Sequence, residues 1–139
     1  MKTIVSTLIL SIVLFIGNTQ DSYSQESAKQ NYVVLTKKIP QLKPILLAAE
    51  ELAKEDAANF GNFEVIVCGK NIGDLTNMER INPHLTKAKK LGVNIIACGF
   101  SLKKFNVDAK KLPKNMRIVP NGILHNLKLQ KQGYLSLSL

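Results

Sequence analysis

Short runs of apolar residues alternate along the chain with stretches in which apolar residues recur at helical spacing. The short runs are dominated by Val, Ile and Leu and end at glycine, proline or polar residues, which is typical of strands buried on both faces. Four runs are predicted as strands: residues 32–36, 63–68, 93–98 and 116–119. Each is four to six residues long, which favours a strand over a helix.

The segments between these runs predict helices. Residues 45–58 and 83–92 have amphipathic spacing, and the second ends at Gly92 after a cluster of lysines. Gly73 and the Asn82-Pro83 pair interrupt the pattern, so residues 71–82 are predicted as a loop with a short helix near Met78. Further helical turns are predicted from Ser101, over 107–112, and from Asn121-Gly122 to Gly133.

The last residues, 134–139, alternate leucine with serine, which indicates a strand with one solvated face. Strands that alternate with helices along the whole chain predict an α/β fold, arranged as a three-layer α/β/α sandwich around a mainly parallel five-stranded sheet. The last strand is expected at an edge, where an antiparallel orientation is also open. As in many doubly wound sheets, the first strand is expected between the second and the third.

The N-terminus resembles an export signal rather than part of the fold. Lys2 precedes an uncharged, mostly apolar run of 13 residues at 4–16, which is shorter than the roughly 20 residues of a membrane span. The small residues Ser22 and Ser24 predict cleavage before Gln25. The predicted organisation is a signal peptide (1–24), a polar linker (25–31) and one domain (32–139), exported to the periplasm or secreted, with no stable membrane span after cleavage. An uncleaved anchor is the alternative.

Composition and charge limit the kinds of partner that this protein is expected to bind. Removing residues 1–24 takes away one lysine and one aspartate, so the mature chain keeps the net charge of +9. The lysines are dispersed, the chain has no Trp, and export separates it from nucleic acid, so a solvated basic surface that favours small anions or an anionic membrane face is expected. The two cysteines with His84 and His125 lack zinc-site spacing, so no metal and no cofactor are predicted. His125 is expected to pack in a helix.

Both cysteines are expected at the edge of the sheet where ligands bind. Cys68 and Cys98 each end a predicted strand and each precede a glycine, Gly69 and Gly99. A turn with such glycines can offer N–H groups to an anion, although glycines in this position more often belong to an ordinary turn between a strand and a helix.

Cys98 is the better candidate for chemistry. A helix beginning near Ser101, with Lys103 and Lys104 close in sequence, would favour the thiolate, which is the nucleophilic form. The alternative is that Cys98 is a small apolar plug at a strand end. Exported proteins commonly pair their cysteines, but the expected strand order separates the two strand ends by about 10 Å. That exceeds the Cα separation of about 7 Å that a disulfide tolerates, so no disulfide with Cys68 is predicted.

Two motifs carry a resemblance to a known family. Leu91-Gly92-Val93-Asn94-Ile95-Ile96-Ala97-Cys98-Gly99, followed by Leu102-Lys103-Lys104, and Val119-Pro120-Asn121-Gly122-Ile123 resemble the DsrE/DsrF-like sulfur-relay family. The resemblance covers residues 32–139. It implies a homo-oligomer, a trimer or hexamer, and a persulfide-carrying cysteine at Cys98. Export departs from the better-known cytoplasmic members and leaves the sulfur donor and acceptor open. Exported members often have histidine at the position of Cys68, so no function is transferred to that residue.

Two functions follow. In the first, the protein is a persulfide carrier or sulfurtransferase-like protein that uses Cys98. In the second, it is a non-catalytic oligomeric module that binds a small anion at the strand ends. The residues expected to bind are Gly69, Gly99, Ser101, Lys103, Lys104, Asn121 and Gly122. Thiol reactivity, together with the burial and neighbours of the Cys98 sulfur, distinguishes the two functions.

Overall fold

A five-stranded sheet forms the centre of the protein. The computed structural model describes residues 29–139, so the predicted signal peptide and most of the linker lie outside the described residues. The strands are β1 (Gln30–Thr36), β2 (Phe60–Val67), β3 (Val93–Cys98), β4 (Arg117–Val119) and β5 (Leu135–Ser138). All neighbours pair in parallel, in the order β4-β3-β2-β1-β5. The predicted α/β class and three-layer architecture are confirmed.

Helices cover both faces of this sheet. They are α1 (Leu42–Asp56), α2 (Met78–Leu91), α3 (Gly99–Lys104) and α4 (Gly122–Lys131). Single turns of 3-10 helix occupy Ile39–Gln41, Ala57–Asn59 and Ala109–Lys111, and a longer one occupies Lys70–Thr76. Helices α1 and α2 pack together on one face, and α4 packs against β1, β2 and β5 on the other. The side chains of Val33, Val65, Val67 and Ile96 are fully buried between these layers. Within residues 29–139 no helix is both long and apolar enough to cross a bilayer.

The helix before β3 begins earlier than the sequence pattern indicates. The predicted break at Asn82-Pro83 is wrong, because α2 runs without interruption from Met78 and contains Pro83. The side chain of Asn77 accepts the N–H of Arg80 at 3.2 Å and caps the helix six residues before the proline. Ile81 is fully buried on the inner side of that first part, so packing offsets the hydrogen bond that proline removes.

The sheet also corrects three expectations about the strands. β1 begins at Gln30, so it takes in the last two residues of the predicted linker. β5 does lie at an edge, as predicted, but it runs parallel to β1 rather than antiparallel. β2, and not β1, occupies the position next to β3. The first three connections each step to the next neighbour, and only the last reverses, so α4 must cross the sheet from one edge to the other.

This strand order brings the two cysteines together. Val67 of β2 is paired with Ala97 of β3, so Cys68 and Cys98 follow at directly opposed positions. Neighbouring strands lie about 4.8 Å apart. The distance argument against a disulfide, which assumed an intervening strand, is therefore wrong.

Candidate functional site

Two buried thiols lie at the carboxyl edge of the sheet. Cys98 is the last residue of β3, and Cys68 directly follows β2. Both thiols are free, and the two residues are only 3% and 6% exposed. Burial alone would make each an inert apolar residue. The polar groups around them decide whether either ionises.

Gly122, the first residue of α4, packs directly against both cysteines. Its N–H donates a hydrogen bond to Sγ of Cys98 at 3.2 Å. A Cβ at this position would lie 2.5 Å from Sγ of Cys68 and 3.2 Å from Cβ of Cys98. Only glycine allows the helix terminus to approach both cysteines this closely. Gly122, at the predicted helix start, is therefore also the residue through which α4 contacts the ends of β2 and β3.

The surroundings of Cys98 favour its thiolate. Burial raises the pKa of this thiol, but hydrogen bonds from the Ser101 side chain, from the backbone N–H groups of Gly122 and Ser101, and from the Cys68 thiol outweigh it. The pKa of Cys98 is thereby lowered below its usual value. The thiolate is the form that attacks electrophilic sulfur.

Ser101 links the turns after the two strands. Its hydroxyl oxygen accepts the N–H of Gly69 at 2.9 Å, and the hydroxyl proton is thus available to the Cys98 sulfur. The residue is 5% exposed. A buried hydroxyl held at its acceptor side is a well-oriented donor, because its proton has few other partners. Gly69 and Ser101 therefore act together on Cys98.

Cys68 has the opposite character. Burial is the main reason why the pKa of Cys68 is raised to about 12, and the charge and hydrogen bond of Cys98 raise it further. Lys37, whose side chain passes close to Gly69, lowers it in part. At neutral pH the pair therefore consists of a protonated thiol at Cys68 beside a thiol at Cys98 that ionises more readily.

The remaining predicted site residues are placed differently. Gly99 begins α3 and packs against the backbone of β4, where an added Cβ would lie 3.1 Å from the carbonyl oxygen of Val119. Asn121 caps α4, since its Oδ1 accepts the N–H groups of Ile123 and Leu124 at 3.0 and 3.1 Å. Lys103 and Lys104 are exposed in the last turn of α3.

A second polar cluster holds α4 on the sheet. The carboxylate of Glu64, a residue 6% exposed, accepts hydrogen bonds from Nη2 of Arg117 at 2.8 and 2.9 Å and lies 2.7 Å from Nε2 of His125. His125 is therefore part of a polar cluster rather than apolar packing. Within residues 29–139, no three His, Cys, Asp or Glu side chains group to hold a metal ion.

Sequence reasoning placed Cys68 at the same edge of the sheet but not beside Cys98, and it did not identify Lys37 as part of the site. Their positions depend on which strands are neighbours, and no local pattern reports that. The similar apolar runs before Cys68 and Cys98 did place both thiols at one edge, but they carry no information on whether the two strands are neighbours.

No protein-family model matches this sequence, and no curated protein matches it either. Among solved structures, the chain is similar to a protein of unknown function from Methanobacterium thermoautotrophicum, MTH1491. The two share 16% sequence identity and a TM-score of 0.60 over 80% of this chain and 99% of that one. At this identity the likeness concerns the α/β fold alone.

Proposed function

We propose that this protein is an exported, thiol-dependent sulfur carrier of the DsrE/DsrF-like type, in which Cys98 accepts a sulfane sulfur as a persulfide. The observation that carries the proposal is the set of donors on the Cys98 sulfur. The N–H of Gly122 and the Ser101 side chain both lower the pKa of this buried thiol. A packing cysteine needs no such donors.

The reaction is a simple transfer of one sulfur atom. The Cys98 thiolate attacks the terminal sulfur of a donor persulfide, R–S–SH. A bond forms between Sγ and that sulfur, the donor's S–S bond breaks, and the donor leaves as the thiolate RS⁻. The proton stays with the terminal sulfur, and no outside oxidant or reductant is consumed.

Burial favours small donors. Cys98 is 3% exposed, so a folded donor protein cannot bring a cysteine of its own into contact with this sulfur unless the site opens. A low-molecular-weight persulfide or an inorganic polysulfide needs far less space. The latter is a small anion, in keeping with the charge of +9.

The occupied donors argue against the anion-binding module. At the N-terminus of α4 the N–H of Gly122 points to Cys98, and those of Ile123 and Leu124 point to Asn121. An anion at this terminus would have to displace the protein's own acceptors. The donors instead serve the anion that the chain itself supplies, the Cys98 thiolate.

Sulfur uptake tests the proposal. The exported protein carrying Cys68→Ser, in which Cys98 is the one remaining thiol, is reduced, freed of reductant, incubated with inorganic polysulfide and analysed by intact-mass and peptide mass spectrometry. The added sulfur is expected on Cys98, and Cys98→Ser should take up none. An alkylation control with iodoacetamide establishes accessibility in the native state. The proposal fails if Cys98 alkylates readily and still gains no sulfur. The same intact mass tests export, since the mature chain is expected to begin at Gln25.

A further inference from the structure

Cys68 and Cys98 form a dithiol pair built by neighbouring strands. They follow the last paired residues of β2 and β3, and the position of a Cβ on Gly122 would contact both. The pair is thus directed to one face of the sheet. The proposed carrier reaction uses only one of these sulfurs, which leaves a second buried thiol beside the persulfide.

We infer that Cys68 resolves the Cys98 persulfide and releases its terminal sulfur as hydrosulfide. This inference rests on the proposed function. The Cys68 sulfur attacks Sγ of Cys98, so a Cys68–Cys98 disulfide forms while the bond from Sγ to the terminal sulfur breaks. The thiol proton of Cys68 goes to the leaving group, which departs as H₂S. The sulfane sulfur gains two electrons, and the two cysteine sulfurs together lose two.

The strand geometry suits this disulfide. Disulfides span Cα separations of about 4.4–6.8 Å. Opposed residues on adjacent strands lie within that range, because the strand spacing is about 4.8 Å. Cys68 and Cys98 occupy such opposed positions one step beyond the Val67 and Ala97 pair. The bond therefore forms without a change in the strand order or a large backbone movement.

The electrostatics divide the work between the two thiols. The lowered pKa of Cys98 makes it the sulfur that captures the donor and also the better leaving group when the disulfide is later reduced. The raised pKa of Cys68 keeps it protonated until the persulfide forms. Its proton then passes to the terminal sulfur as the Cys68 sulfur attacks, so the attacking atom gains thiolate character in the same step in which the leaving group is protonated. In a pair of equal thiols either sulfur would capture the donor.

Turnover needs one further reactant of a defined class. A dithiol reductant attacks the Cys68 sulfur of the disulfide, releases Cys98 as thiolate, and closes its own disulfide as Cys68 is released. Each cycle then consumes two reducing equivalents and delivers one hydrosulfide. The protein acts as a reductase for sulfane sulfur rather than as a passive carrier.

An anaerobic single-turnover experiment tests the role of Cys68. Reduced exported protein is mixed with one equivalent of inorganic polysulfide per chain, desalted at once, and followed for hydrosulfide release and by peptide mass spectrometry. Wild type is expected to release close to one hydrosulfide per chain and to yield the Cys68–Cys98 disulfide. Cys68→Ser is expected to retain the Cys98 persulfide and to release hydrosulfide only after a dithiol is added.

The outcomes separate the two proposals. If wild type keeps its persulfide as long as Cys68→Ser does and forms no disulfide, the resolving role is refuted and the carrier function stands. If Cys68→Ser gains no sulfur on Cys98, the carrier function itself fails. Cys68→Ala, checked by circular dichroism, serves as a second variant in case serine at this buried position disturbs the fold. Cys98→Ser controls for hydrosulfide that polysulfide releases by itself.

Discussion

Replacing Gly122 by alanine is the sharpest test of the site's geometry. The added methyl group would lie 2.5 Å from Sγ of Cys68 and 2.8 Å from Cγ2 of Ile66. Non-bonded heavy atoms prefer separations of about 3.5–4.0 Å. The start of α4 must therefore move away from the sheet by about 1 Å, and the Gly122 N–H moves with it, away from Cys98.

Two effects follow from that displacement. Overpacking a well-packed core costs about 1–3 kcal/mol, so the free energy of unfolding should fall by that amount. A hydrogen bond to a charged group contributes about 1.5–3 kcal/mol when fully made, and one pKa unit corresponds to about 1.4 kcal/mol. Weakening the bond to the Cys98 thiolate should therefore raise the pKa of Cys98, because the Gly122 N–H is one of the donors that lower it.

Urea denaturation measures the first effect, and the pH dependence of Cys98 alkylation in a Cys68→Ser background measures the second. Gly73→Ala is the matched control. A Cβ at Gly73 would meet only Val107, at an ordinary contact distance of 3.5 Å. The control should change the free energy of unfolding by less than about 1 kcal/mol and leave the Cys98 titration in place.

The result that would refute this reasoning is a Gly122→Ala protein as stable as wild type with an unchanged Cys98 titration. It would mean that the terminus of α4 does not contact the two sulfurs. The assignment of Cys98 as the thiolate would then lose its main support.

Three further predictions concern the two thiols, the polar cluster around Glu64 and the β5 edge of the sheet. Alkylation of Cys98 should reach half its maximal rate at a lower pH than alkylation of Cys68. The pKa of Cys68 is higher in the folded chain than in the unfolded chain, so the free energy of unfolding should fall as the pH rises towards 12. The fall should be smaller in Cys68→Ser. Equal alkylation profiles would contradict this. Glu64→Gln should lower the free energy of unfolding by about 1–3 kcal/mol in urea, since it removes the buried charge that pairs with Arg117 and weakens the contact with His125. An unchanged free energy of unfolding would mean that the cluster is not formed. Light scattering should show a homo-oligomer, and Leu137→Lys, which places a charge on the exposed apolar edge of β5, should lower its mass. Leu124→Lys, at a similarly exposed leucine of α4, is the control; a monomeric wild type would rule the oligomer out.

Local pattern was a good guide to the elements of this fold. Apolar runs located β1 to β4 to within three residues at either end, and for β3 the predicted residues 93–98 are those observed. The alternation of leucine and serine located β5 and its edge position. These features are visible locally because a strand buried on both faces is apolar at successive positions, whereas a strand buried on one face alternates apolar and polar residues. The start of α2 was misjudged because burial of Ile81 outweighed the effect of Pro83.

Local sequence patterns were enough to predict the α/β class, the two cysteines at strand ends and the glycine that begins α4. That these features meet follows only from the three-dimensional arrangement of the strands. A strand's composition reports how deeply it is buried, but not which strand lies beside it, because pairing partners are chosen by the whole set of connections. Here those connections make β2 the neighbour of β3 and carry α4 across the sheet, so that Gly122 lies over Cys68 and Cys98. The contact between the two thiols arises from that long-range arrangement.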